Sequence, residues 1–81
     1  MPYVVYILKS DATGTSYVGQ TSDLEKRLGE HNNGKSLSTR NQRPWRLVYK
    51  EVYQTRAEAV RREKHFKSVK GRLELKAQGI L

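Results

Sequence analysis

An α/β domain with a small, mainly antiparallel three-stranded sheet flanked by helices, in the order β-β-α-β-α-α, is predicted by three features of the chain. Two β-branched and aromatic runs, Tyr3 to Leu8 and Ser16 to Gln20, are separated by the turn-forming stretch Lys9 to Thr15. Two segments, Thr21 to Glu25 and Thr55 to Glu58, carry the side chains that start helices. Between them, Trp45 to Tyr53 places bulky residues at alternate positions, the period of a strand.

Tyr3-Val4-Val5-Tyr6-Ile7-Leu8 and Ser16-Tyr17-Val18-Gly19-Gln20 form the expected hairpin. In Thr21-Ser22-Asp23-Leu24-Glu25, the Ser22 hydroxyl and the Glu25 carboxylate are placed to satisfy each other's free backbone amides, so a helix starts there and runs to about Asn33. Gly34 can adopt the left-handed conformation that closes it. Lys35 to Arg43 is polar and aperiodic, which reads as a mobile loop. Trp45 to Tyr53, after Pro44, is the third strand, packed mainly on one face. Thr55-Arg56-Ala57-Glu58 opens a second helix ending near Phe66, and Lys70 to Gln78 forms a third, stopped by Gly79. With no repeat, linker or low-complexity segment, residues 1–81 are expected to be a single domain sharing one core.

Composition narrows the function. Without cysteine there is no disulfide, thiolate nucleophile or cysteine-held zinc, so any metal must be bound by oxygen or imidazole. No apolar run is long enough to span a membrane, and Met1-Pro2-Tyr3 lacks the start of a secretory signal, so a soluble, cytoplasmic protein is expected. The net charge of +8 is regional: residues 1–31 hold 3 basic and 4 acidic side chains, the remainder 13 and 4. From Asn32 to Lys50 there are cations and no acid, a pattern suited to a polyanion whose counterions are released on binding. The bland alternative is a basic surface that only aids solubility or touches anionic lipid.

Some polar residues fall where apolar ones belong. On a helical wheel with Leu24 at 0°, Leu28 lies near ~40°, His31 near ~−20° and Arg27 near ~−60°, so Arg27 and His31 border the core face. A cation there either has a partner or snorkels to water. Glu63 shares the stripe of Ala59, Val60 and Phe66, which implies a buried cation beside it, a metal or a proton. His65 lies off that stripe and reads as surface. Tyr6 and Tyr17 are either core rings with hydroxyls at the rim or part of a site, and Trp45 and Tyr49 are expected in the core before serving as stacking platforms for bases.

Taken together, Val4-Val5-Tyr6, Tyr17-Val18-Gly19, Arg27, His31 and Glu63 resemble the GIY-YIG nuclease family, particularly its short single-domain bacterial members. Val-Val-Tyr stands for Gly-Ile-Tyr and Tyr-Val-Gly for the second triplet. Thr21 through His31 followed by Asn32-Asn33-Gly34-Lys35, and Arg43-Pro44-Trp45-Arg46-Leu47-Val48-Tyr49 followed by Arg62-Glu63-Lys64, extend the likeness over nearly the whole chain.

The resemblance implies hydrolysis of nucleic-acid phosphodiester bonds, with one divalent cation, Mg2+ or Mn2+, held by Glu63 as its only protein ligand. Arg27 would offer a planar fork to the phosphoryl oxygens. A tyrosine would serve as base, Tyr6 before Tyr17, although the roles are exchangeable. Nearby cations, Arg27 and the metal, would favour the phenolate, each unit of downward shift from ~10 requiring ~1.4 kcal/mol. His31 would accept the phenolic proton or bind phosphate. The loop cations Lys35, Arg40, Arg43 and Arg46 would contact backbone phosphates without reading sequence. DNA is the first choice of substrate, in repair or processing, with RNA and a protein partner left open. The alternatives are a nucleic-acid-binding module of the same fold without turnover, and an interaction protein in which Arg27 and Glu63 form a structural ion pair.

Overall fold

The computed structural model describes residues 2–81; Met1, the first residue of the expected 1–81 domain, lies outside the described residues. Its elements are β1 (Tyr3–Ser10), β2 (Ser16–Thr21), α1 (Leu24–Asn32), a 3-10 turn at Arg40–Gln42, β3 (Trp45–Tyr53), α2 (Arg56–Lys67) and α3 (Val69–Ala77), in the predicted order. The strands form one antiparallel sheet, β2-β1-β3. β1 is therefore central, and its burial from Val5 to Leu8 explains why that run is apolar on both faces.

Alternation along β1 divides the core in two. Val5 and Ile7 face α2 and α3, packing with Val18, Ala59, Phe66 and Leu75. Tyr6 and Leu8 point the other way, packing with Trp45, Tyr17, Leu24, Leu28 and Leu47 beneath α1. β3 contributes to both layers instead of mainly one. A register shift between Ile7 and Leu8 pairs them with Tyr49 and Leu47, so Val48 is an extra residue. That bulge switches the faces: Leu47 joins the α1 layer while Val48 and Tyr49 join the other.

The Thr55 capping box forms as predicted. At α1 the cap is Asp23, whose carboxylate accepts from the Lys26 amide, and not Ser22, because the helix begins at Leu24. Gly34 and Gly79 follow α1 and α3 at φ of 77° and 76°. Ser68 caps α3, so that helix starts at Val69, one residue earlier than expected. The segment between α1 and β3 is not a loose loop. Ser36 and Thr39 are buried, the Trp45 Nε1–H donates to the Thr39 carbonyl at 2.8 Å, and the Asn32 amide brackets the Trp45 backbone at 2.7 and 3.0 Å. No helix is long and apolar enough to cross a membrane among the described residues.

Candidate active site

Tyr6 comes from the middle of the central strand and reaches across its neighbour in β2, Gly19. A Cβ on Gly19 would lie 2.5 Å from the Tyr6 hydroxyl and 2.7 Å from its Cζ, so only glycine lets the phenol lie flat over β2. The Tyr6 hydroxyl meets His31 Nε2 at 3.0 Å, and His31 Nδ1 meets Thr39 Oγ1 at 2.8 Å. Tyr6 and His31 are 1% and 0% exposed. The phenolic hydrogen has no acceptor there other than Nε2, which assigns the imidazole its Nδ1–H tautomer, donating to Thr39. Burial and then the Arg27 charge hold the His31 pKa below its ordinary value, against the pull of Glu30, so the ring is a neutral acceptor.

Burial, reinforced by the neighbouring Tyr17, pushes the Tyr6 pKa up to about 12, and Arg27 only partly opposes this. Of the two cations expected to favour the phenolate, Arg27 alone does not: desolvation outweighs the guanidinium, and Tyr6 stands protonated with a base already hydrogen-bonded to it.

Tyr17, half-buried on β2, packs its ring 6.3 Å from Tyr6 and 4.8 Å from His31. Arg27 projects from α1 beside both hydroxyls. Burial would lower its pKa, but the Tyr6 and then the Tyr17 hydroxyl outweigh this and raise it. Its hydrogen-bonded partner is Glu30, at a long 3.5 Å, and its side chain keeps 32% exposure. The guanidinium is thus in no short ion pair, and it lies along a groove of about 370 Å³ lined by Thr21, Ser22, Asp23, Lys26 and Glu30.

Glu63 belongs to α2, on the opposite face of the sheet, yet its flank of that helix turns towards β2. With Phe66 at 0°, the 100° helical step puts Arg62 near ~−40° and Glu63, Arg56 and Lys67 near ~60° to ~100°. Arg62 reaches β3 through Glu51 at 2.9 Å, whereas Arg56 reaches β2 through Gln20 at 3.4 Å. Glu63 therefore faces the edge strand that carries Tyr17 and Gly19, and its charge is felt at Tyr6, where it raises the pKa. Its present partner is Lys67 at 2.7 Å. A structural Arg27–Glu63 ion pair is overturned, since Arg27 pairs with Glu30 and Glu63 with Lys67.

Glu63 is the carboxylate from which a metal site can be built. No cluster of three or more His, Asp or Glu ligands occurs among the described residues. A single carboxylate fits a hard divalent ion that keeps several waters and takes phosphate oxygens, not one that needs a cage of protein ligands.

The loop cations are only partly gathered. Arg40 and Arg43 share an open groove of about 560 Å³ with Asn32, Asn41 and Pro44, and Arg43 Nε donates to the Arg40 carbonyl at 2.7 Å. Arg46 instead pairs with Asp11 at 2.7 Å, and Lys35 stands exposed after α1. Trp45 is 4% exposed and so is core, not a stacking platform. His65 is not a free surface residue: it lies half-buried, 2.7 Å from Glu74, linking α2 to α3.

Thr39 was not singled out by sequence, because nothing in an aperiodic polar stretch distinguishes one threonine. Glu51 is a second such residue. Its signal was present: Tyr49, Glu51 and Tyr53 alternate on one face of β3, and the carboxylate accepts from both phenols and from Arg62.

Comparison with known proteins agrees with the fold. The family model described as the GIY-YIG catalytic domain matches residues 2–76. A UPF0213 protein of Staphylococcus saprophyticus is 39% identical over 75 residues, covering 91% of this chain and 90% of its own. One from Bacillus pumilus is 47% identical over 64 residues, covering 78% and 64%. Among solved structures, the solution NMR structure of the UPF0213 protein BH0048 from Bacillus halodurans is similar with a TM-score of 0.59 and 33% identity, over 96% of this chain and 85% of that one.

Proposed function

This chain belongs to the GIY-YIG catalytic-domain family, and from that premise we propose that it is a metal-dependent endonuclease hydrolysing phosphodiester bonds, DNA foremost, with low sequence specificity, in cytoplasmic DNA repair or processing. The observation that carries the reading is the hydrogen-bonded chain from Tyr6 through His31 to Thr39, lying beside an arginine in no short ion pair.

Tyr6 acts as base without standing as a phenolate. As its oxygen takes a proton from the attacking water, its own proton passes to His31 Nε2, and the Nδ1–H···Thr39 bond holds the ring in line. Tyr17 orients water or phosphate. Arg27 leaves its long contact with Glu30 for the phosphoryl oxygens, where charge grows as the water attacks. Glu63 would hold Mg2+ or Mn2+, and the ion when bound supplies charge that polarises the phosphate and stabilises the leaving oxygen. Arg40 and Arg43, with Lys35 and Arg46 near them in sequence, contact flanking phosphates.

The test is cleavage of labelled single-stranded, duplex, flap and branched DNA and of RNA with Mg2+ or Mn2+, comparing wild type with Glu63→Ala and Tyr6→Phe. Loss of cleavage in both variants is expected. Equal cleavage by all three proteins rejects this centre. Salt-sensitive binding without cleavage by wild type selects the non-catalytic binding module of the same fold.

A further inference from the structure

The far face of the sheet carries two cations that the loop and the Tyr6 centre leave unused. Arg56, at the start of α2, lies with its guanidinium carbon 4.6 Å from the Tyr3 ring centroid and extends Nη1 to Gln20 Oε1 at 3.4 Å. Arg72, on α3, extends Nη2 to Ser16 Oγ at 3.5 Å. Both are exposed, and each crosses a long stretch of sequence to finish on a neutral group at the edge of β2. Among the described residues neither has a carboxylate within ion-pair distance, whereas Arg62 on the same face is paired with Glu51.

Ser16 and Gln20 are four residues apart on one strand and on one face, a spacing of about 13 Å at roughly 3.3 Å per residue. Glu63 and Lys67 lie on the flank of α2 that turns to the same edge. β2 is thus bordered by Arg72 at one end and Arg56 at the other, with the metal-site candidate between them. Holding unpaired cations in line on a chain of net charge +8 is unfavourable until a polyanion lies along them.

We propose that the edge of β2 is the track of the nucleic-acid strand, with Arg56 and Arg72 gripping its phosphodiester backbone on either side of Glu63. This assignment rests on the nuclease reading and names the contacts that set the strand's direction across the site. A span of about 13 Å takes in more than one phosphate of a strand, so the pair fixes register along the backbone without reading bases.

The experiment is fluorescence anisotropy of labelled single-stranded DNA, duplex DNA and RNA of one sequence, with EDTA present so that nothing is cut, across a salt series. Arg56→Gln/Arg72→Gln is compared with wild type, with the charge-keeping Arg56→Lys/Arg72→Lys pair, and with Arg61→Gln/Lys64→Gln, which removes two charges from the solvent flank of α2. Two lost phosphate contacts should reduce the slope of log affinity against log salt by about 1.4 for a single strand or about 1.8 for duplex. Affinity at low salt should fall at least about tenfold, with the lysine pair and the Arg61/Lys64 pair close to wild type; whichever of DNA or RNA shows the larger loss names the natural strand. An unchanged slope in Arg56→Gln/Arg72→Gln, or an equal loss in the Arg61/Lys64 control, overturns the track. Cleavage by wild type with Mg2+ in that case leaves the nuclease reading standing. Loss of binding on the track combined with full cleavage by Tyr6→Phe does the reverse, and a wild type that binds nothing at low salt overturns both.

Discussion

The two faces of the sheet bury polar groups in opposite ways. On the α2/α3 face the Glu51 carboxylate, 18% exposed, accepts from Tyr49, Tyr53 and twice from Arg62, and His65 meets Glu74. In the Glu51 network the carboxylate is matched by the Arg62 guanidinium and both its oxygens are occupied, while Arg56 and Arg72 lie outside it at the β2 edge. On the α1 face the fully buried polar chain is neutral, while its one charged neighbour, Arg27, lies against the Tyr6 and Tyr17 hydroxyls and reaches a carboxylate, Glu30, only at a long distance. A matched network holds a shape, and its charges have nothing left to offer a ligand. The unmatched one keeps a guanidinium and a proton acceptor in reserve, which is what chemistry requires.

The sharpest way to break this comparison is to remove one buried hydroxyl from each side. Tyr6→Phe leaves His31 without its proton donor and should lower turnover by about 10²- to 10⁴-fold, the usual worth of a positioned base. Tyr49→Phe removes one of the donors to Glu51 and should lower stability by about 1 kcal/mol while leaving turnover per folded molecule unchanged. Steady-state rates and denaturant melts of both variants decide it. Equal effects on rate would mean the two faces do not differ in this way.

Gly19→Ala is next in size. The added methyl lands 2.5 Å from the Tyr6 hydroxyl and 3.1 Å from Tyr17 Cε1, so the phenol must leave His31 or the strand must shift. Overpacking of this kind costs about 1–3 kcal/mol, and turnover should drop by about tenfold or more as Tyr6 moves off its acceptor. Gly29→Ala, in the interior of α1 where a Cβ would meet nothing within 4 Å, is the control: it should leave turnover unchanged and raise stability by about 0.5–1 kcal/mol.

Much of this is legible in the sequence. β-branched runs and turn formers gave the hairpin, and the Thr55 box placed α2 within a residue. Helical spacing alone put Arg27 and His31 at the core border, where they stand. Three things were not legible, each for a physical reason. The bulge at Val48 is a matter of register between strands and leaves no mark in β3 itself. Thr39 depends on Trp45 and Asn32 folding a polar segment inward, a tertiary effect with no local period. The upward pull of burial on the Tyr6 pKa is the third, because sequence reveals neighbouring charges more readily than depth of burial, and here burial outweighs Arg27.

Thr39→Val tests that inward fold. It keeps the shape but removes the acceptor of the His31 Nδ1–H. One orienting hydrogen bond is worth about 1 kcal/mol, so turnover should fall by roughly fivefold at 1.36 kcal/mol per tenfold. Thr13→Val breaks surface hydroxyl contacts instead, and should leave the rate untouched.

The smallest effect is in the pH profile, and it separates the faces by the pH at which each fails. His31 has a folded-state pKa below its ordinary 6.5, so between the two values the unfolded chain binds the extra proton. The stability this gives is full above about pH 6.5 and is lost as pH falls through the folded value. Turnover follows the same limb, because a protonated ring cannot take the Tyr6 proton. Glu51 also has a lowered pKa: burial raises it, but Arg62 and the two phenols outweigh that. Its contribution is present above the unfolded carboxylate value of 4.5 and is lost only as pH falls further. Acid should therefore silence the α1 face before it loosens the α2/α3 face. Following the His31 ring protons by NMR alongside thermal melts from about pH 2 to 8 reads both limbs. His31→Gln should flatten the upper one and Glu51→Gln the lower, and a single transition shared by both faces would show that their polar networks are not separate.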